Sequence, residues 1–180
     1  MKIGIITGTT RHGNNGSMIG DWVNRVAAAR DDAEFTDIRL ADQDLNLLTE
    51  PTMPGMANGE YEDPKTAEWA KAIAPLDGFV FITPEYNAAP PAAFKNAVDL
   101  LFVEWSGKPV GFVGYGFHHG ERAVAHWRDI VGNLKMTDVA ENVGIGLGEE
   151  LAEDGSFVPA EGREAELNAM LDEVVRLATK

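Results

Sequence analysis

The sequence contains no cysteine. That excludes disulfides, thiolate metal sites, iron–sulfur clusters and any cysteine nucleophile, and it fits a cytoplasmic location. Positive charge is also scarce: 15 Lys and Arg stand against 29 Asp and Glu, a formal net charge of −14. Such a field repels nucleic acid and anionic lipid, so neither nucleic acid nor a membrane is expected as a partner. An anionic small ligand needs a site with strong local donors. No apolar run approaches the roughly 18 residues that a membrane helix requires. Met1-Lys2-Ile3-Gly4-Ile5-Ile6-Thr7 runs straight into what reads as a core strand, so no signal peptide is expected. There is no internal repeat and no low-complexity tract. Two common phosphate motifs are missing as well. Gly8 and Gly13 have the outer spacing of a P-loop, but Asn14-Asn15 stand where Lys-Ser/Thr is needed, which argues against a nucleoside triphosphatase. Gly144-Ile145-Gly146-Leu147-Gly148 has the wrong spacing for a dinucleotide fingerprint, and no helix follows it at once.

What is present alternates. Residues 2–7 read as a buried strand, and 34–39, Glu-Phe-Thr-Asp-Ile-Arg, as a second strand nearer a sheet edge. The continuous apolar run at 78–83 is how a strand covered on both faces reads. Residues 109–115 and 139–147 make the fourth and fifth strands. Between them, apolar residues recur at helical spacing. Ile19, Trp22, Val23, Val26 and Ala27 mark a helix over 18–29 with Ser17 as its N-cap, and Asp63-Pro64 starts a helix that runs to about residue 74. Phe94, Val98 and Leu101 mark 92–103, Ala123, Trp127, Ile130, Val131 and Leu134 mark 121–134, and Leu167, Met170, Leu171, Val174 and Ala178 mark 163–178. Residues 41–63 form a long polar connection, of a length that is often functional. Five strands alternating with five helices predict a single α/β domain over residues 1–180, a three-layer doubly wound fold on a five-stranded parallel sheet. Right-handed crossovers leave few topologies, and the flavodoxin-like order 2-1-3-4-5 is the expectation. In such sheets ligands bind beyond the carboxyl ends of the strands, at the switch point between strands 1 and 3. That points to loops 8–17, 84–91 and 116–120.

The first loop, Gly8-Thr9-Thr10-Arg11-His12-Gly13-Asn14-Asn15-Gly16-Ser17-Met18, joins a strand end to a helix start. Backbone N–H groups there lack helical partners, and the helix dipole favours an anion. Thr9, Thr10 and Ser17 add hydroxyl donors, and Arg11 can grip a phosphate through two hydrogen bonds. The glycines, Gly16 among them, permit a close backbone approach. The plainer reading is a loop that only caps its helix. The second loop, Thr83-Pro84-Glu85-Tyr86-Asn87, sets a stiff turn and an aromatic at the binding edge, and the small residues after it leave room for a flat ligand.

That turn, followed by Lys95-Asn96-Ala97-Val98-Asp99, resembles the hallmark of the NADPH-dependent FMN reductase family, whose fold is flavodoxin-like. The Gly8-Thr9-Thr10-Arg11 loop with Ser17 is similar to the family's phosphate loop. Lys108-Pro109-Val110 and Gly114-Tyr115-Gly116 are similar to its fourth strand, so the likeness spans about residues 2–177. The resemblance implies FMN as cofactor and an NAD(P)H-dependent FMN reductase or quinone reductase type of enzyme. Hydride would pass from NADPH or NADH through the flavin to a small acceptor: a quinone, free flavin, an azo dye or a metal oxyanion. It implies that Thr9, Thr10, Arg11, Gly16, Ser17 and Met18 hold the phosphate. It implies too that Pro84, Glu85, Tyr86 and Asn87 border the isoalloxazine ring and that Gly116 closes the third side. It also implies a homodimer or homotetramer.

No catalytic side chain is expected, because the flavin carries the chemistry, and Glu85 reads as positional. No metal is expected: His118 and His119 are adjacent, and neighbours rarely point at one ion. Trp22 and Trp127 read as packing, and the acidic runs at 149–154 and 161–166 as solvated faces. One stretch departs from the family. Gly116-Phe117-His118-His119-Gly120 carries larger side chains than relatives often have after the fourth strand, which narrows access or alters the substrate. The rival readings are an electron-transfer flavoprotein without pyridine-nucleotide activity and a flavin-free binding module of the same fold.

Overall fold

The computed structural model describes residues 1–13 and 15–179. The elements run β1 (Lys2–Thr7), α1 (Asn15–Ala28), β2 (Glu34–Arg39), a 3-10 turn (Leu40–Asp42), α2 (Pro54–Ala57), α3 (Pro64–Ile73), β3 (Gly78–Pro84), α4 (Ala92–Asp99), β4 (Pro109–Gly116), α5 (Glu121–Asn133), β5 (Thr137–Gly146) and α6 (Arg163–Ala178). The strands pair in parallel in the order β2-β1-β3-β4-β5. This is the flavodoxin-like sheet that the alternation predicts. Among the described residues, no helix is long and apolar enough to cross a membrane.

Three details differ from the sequence reading. Helix α1 begins at Asn15, so Ser17 lies inside the first turn and not at the cap. Helix α4 stops at Asp99, although Leu101 beyond it is still buried. The long polar connection contains the short α2, and the Asn96 side chain pins that connection by donating to Asn46 O (2.9 Å) and accepting from Leu48 N (3.0 Å).

Every residue of β3 and β4 is buried, as strands with helices on both faces must be. Their side chains alternate between two cores. Phe79 and Phe81 face Trp69, Phe94, Trp105 and Trp127, whereas Val80 and Ile82 face Ile5, Ile19, Trp22 and Met170. The Phe81 ring lies 4.9 Å from Phe94 and 5.4 Å from Trp127, tilted or edge-on, arrangements that add to the burial of area. The three indole N–H groups in this core are paired: Trp69 donates to Ala97 O (2.8 Å), Trp105 to Val98 O (3.1 Å) and Trp127 to Thr83 Oγ1 (3.0 Å). Trp127 therefore does more than pack; it ties α5 to the end of β3, where the second loop begins. At the end of β1, the Gly8 N–H donates to Ile82 O (2.9 Å). A Cβ on Gly8 would sit 1.9 Å from Phe94 Cδ1, so only glycine lets α4 seat against that strand end.

Candidate functional site

The ends of β1, β3 and β4 converge on a cleft of about 220 Å³. The first loop lines it with Arg11, Gly13 and Asn15, and the second with Pro84, Glu85 and Tyr86. The third side is Tyr115, Gly116 and Phe117, with Leu147 arriving from the end of β5. Of the residues singled out from the sequence, Arg11, Pro84, Glu85, Tyr86 and Gly116 line this one cleft. Gly16, Ser17 and Met18 stand in the first turn of α1. Thr10 turns instead into a separate groove of about 290 Å³ beside Leu40, Leu45, Leu47 and Ala92, and Asn87 is exposed at a turn tip. Asn14 lies outside the described residues. Tyr115, Leu147, Gly13 and Asn15 were not singled out from the sequence. Tyr115 has a signal, since it immediately precedes Gly116 at a strand end. Leu147 has one only through the sheet order, which sets β5 beside β4.

Thr9, 2% exposed, lies beneath the cleft. Its hydroxyl accepts from the Arg11 N–H (3.3 Å) and shares a hydrogen bond with the Tyr86 phenol (2.8 Å). The Arg11 guanidinium carbon stands 5.9 Å from the Tyr86 ring centroid, within cation–π range. Burial pushes the neighbouring Tyr115 phenol well above its ordinary range, with Thr9 and Arg11 opposing. It is a neutral phenol at any physiological pH.

The second loop is a two-residue turn. Tyr86 N donates to Ala89 O (3.0 Å) and Ala89 N to Tyr86 O (3.1 Å), with Asn87 at φ 52 and Ala88 at φ 66. Positive φ at both central residues is the type I′ geometry. Asn adopts it readily, but Ala holds it under strain. Among the described residues Glu85 is the one acid lining the cleft, and its carboxylate is turned toward α5. Its carboxylate accepts from Arg122 N (3.0 Å) and pairs with the Arg122 guanidinium, and the Glu85 side chain is 5% exposed. This caps the first turn of α5, while the Glu85 N–H donates to Tyr115 O (3.0 Å). Backbone and side chain alike serve position.

The third loop is bracketed by β5. Gly116 O accepts from His119 N (3.3 Å) and from Leu147 N (3.1 Å). His119, at φ 54, lies on two glycines of β5: a Cβ on Gly144 would be 3.1 Å from His119 Cβ, and one on Gly146 would be 2.6 Å from its Nε2. The Gly144-Ile145-Gly146 stretch thus makes room for an imidazole, whose Nε2 stands 3.4 Å from Glu149 Oε2. His118 is exposed. Glu150, in the acidic run read from the sequence as a solvated face, is instead buried, because its carboxylate takes Gly146 N (3.2 Å), Ala160 N (2.8 Å) and Arg163 Nη2 (2.9 Å). Burial pushes that carboxyl up, but Arg163 and the two amides outweigh it and hold it below the usual carboxylate range.

The sequence model of NADPH-dependent FMN reductase matches residues 1–150. An NAD(P)H-dependent FMN reductase of Schizosaccharomyces pombe is 37% identical over 135 residues, which are 75% of this chain and 68% of that protein. The NAD(P)H-dependent FMN reductase ntnL of Nectria sp is 33% identical over 196 residues, covering 98% of this chain and 96% of that one. Among solved structures, FerB, a flavoenzyme NAD(P)H:(acceptor) oxidoreductase of Paracoccus denitrificans, superposes with a TM-score of 0.75 at 20% identity over 99% of this chain and 97% of its own. That likeness shows the fold.

Proposed function

The chain belongs to the NADPH-dependent FMN reductase family, an oxidoreductase with FMN as cofactor and NAD(P)H as co-substrate, and on that premise we propose that the cleft between the ends of β1, β3 and β4 is its flavin site. One observation carries this reading. In a chain of net charge −14, the acid in the cleft is turned out and paired to Arg122, while Arg11 faces in beside the start of a helix. That donor set suits an anion. The redox chemistry, hydride from NAD(P)H and electrons to a small acceptor, is the flavin's.

The chain's residues bind and orient. Arg11, the first-turn amides of Gly16, Ser17 and Met18, and the Ser17 hydroxyl would hold the phosphate, whereas Thr10, turned into the neighbouring groove, would not. Thr9, already engaged by Arg11 and Tyr86, would act by fixing both. The Pro84–Asn87 turn would border the ring, with Glu85 locking that turn to α5. A cleft of about 220 Å³ is smaller than the ~300–1,000 Å³ usual for ligand sites, so part of the cofactor would lie beyond it. The exposed Leu47, Met53 and Met56 (64–75% exposed) stand on the 41–63 connection. We read both features as signs of a homodimer or homotetramer in which a second copy covers apolar surface. The absence of cysteine and of any membrane-crossing helix among the described residues fits work in the cytoplasm.

The test is anaerobic stopped-flow mixing of the FMN-loaded protein with NADPH and with NADH. Bleaching of the bound flavin faster than that of free FMN is expected. If neither nucleotide achieves it, the reductase reading fails and the electron-transfer reading takes its place.

A further inference from the structure

Phe117 is 83% exposed and lines the cleft. An aromatic ring left in water forgoes the burial that favours its kind. A floppy loop would explain that, but this loop is not floppy. Gly116 O takes two backbone N–H groups, His119 rests on Gly144 and Gly146, and a Cβ on Gly120 (φ 72) would be 2.4 Å from Tyr115 N. The bracket fixes the backbone on both sides of Phe117 and holds the exposed ring in the cleft that Leu147 and Tyr86 also line.

We infer that Phe117 is a specificity-determining residue that stacks on a neutral planar electron acceptor of the quinone class and favours it over compact anionic acceptors. This rests on the flavin assignment of the same cleft. Two independent features point the same way. The phenyl face is electron-rich and prefers offset stacking on an electron-poor ring, which a quinone offers and a compact metal complex does not. The net charge of −14 repels anionic acceptors at a distance, and the cation lining the cleft, Arg11, is assigned to the phosphate.

The test uses the FMN-loaded protein in its oxidised form, without reductant, so that binding is read apart from turnover. Calorimetric titration with 2-methyl-1,4-naphthoquinone should show Phe117→Ala binding about tenfold more weakly, Phe117→Tyr binding within about twofold of wild type, and Phe117→Leu falling between them. The melting temperature should not move, because the side chain is exposed. In turnover, the ratio of kcat/KM for the naphthoquinone to that for ferricyanide should fall about tenfold in Phe117→Ala. Unchanged quinone affinity in Phe117→Ala, or an unchanged ratio, overturns the inference. So does a halved sedimentation mass, which would make the ring a contact between copies. Failure of wild-type flavin bleaching by NAD(P)H strikes the reductase reading alone, since quinone binding is measured without it.

Discussion

Gly8→Ala probes how the sheet end holds the site. The new methyl would lie 1.9, 2.3 and 2.6 Å from Cδ1, Cε1 and Cγ of Phe94, where carbon contacts ordinarily stand at about 3.5–4.0 Å. Relief requires a displacement on the order of 1.5 Å. The ring has no room to take it up: Phe94 is fully buried, 4.9 Å from Phe81 and 4.8 Å from Trp127, and Trp127 is fastened to Thr83. Helix α4 must move instead, and Thr9 and Arg11 follow Gly8 directly. Overpacking costs about 1–3 kcal/mol, and this overlap with a confined ring belongs near the upper end, about 3 kcal/mol. Urea unfolding should show a lower midpoint at unchanged slope, with FMN affinity reduced. Phe94→Leu alone should cost about 1–2 kcal/mol. The double variant should be milder than the sum of the two by at least about 1 kcal/mol, because the methyl enters vacated space. Wild-type stability in Gly8→Ala, or strict additivity in the double variant, refutes the reasoning.

Arg11→Ala should weaken FMN by about 1.5–3 kcal/mol, the usual worth of a hydrogen bond to a charged group, and leave riboflavin affinity nearly unchanged; Arg11→Lys should recover only part. Calorimetry on apoprotein with both ligands checks this, and equal losses for FMN and riboflavin would show that Arg11 does not read phosphate. Ala88→Gly relieves an L-residue held at φ 66 and should raise stability by about 1 kcal/mol in thermal unfolding; a loss would mean that the Ala88 methyl makes contacts worth more than the strain. Glu150 sits below its ordinary pKa when folded, so its contribution is complete above the unfolded value and is lost as pH falls through the folded one. Glu150→Gln should cost about 3 kcal/mol near neutrality and flatten the acid limb of stability against pH, which unfolding curves between pH 3 and 7 would show.

Much of the fold was legible because local pattern and tertiary burial agree. A strand apolar at every position, as in residues 79–82, has no other place than the centre of a two-sided sheet, and the helical stripes that follow supply its two covers. The details that escaped depend on contacts between distant segments. Nothing near Ser17 says that the helix starts at Asn15, three residues before the expected start. Leu101 looks helical because it is buried, yet it packs from beyond the end of α4. In the site, the loops that carry Arg11, Pro84–Asn87 and Gly116 could be found from the strand ends alone. The inward turn of the Thr9 hydroxyl, the outward turn of the Glu85 carboxylate and the arrival of Leu147 could not. Each is decided by a partner 30 or more residues away: Tyr86, Arg122 and Gly116.

The hydrogen bond from the Trp127 indole to the Thr83 hydroxyl has an optical consequence. An indole buried in an apolar core emits to the blue of one in water, and here the same indole is wired to the strand end from which the Pro84–Asn87 turn departs. Trp69 and Trp105 are buried too, but their N–H groups end on α4 carbonyls. A flavin bound at the strand ends, as proposed, would absorb where tryptophan emits, and Trp127 is hydrogen-bonded at that end. On that proposal the chain would carry its own fluorescent gauge of whether the site is filled, its dimming followed without any label attached.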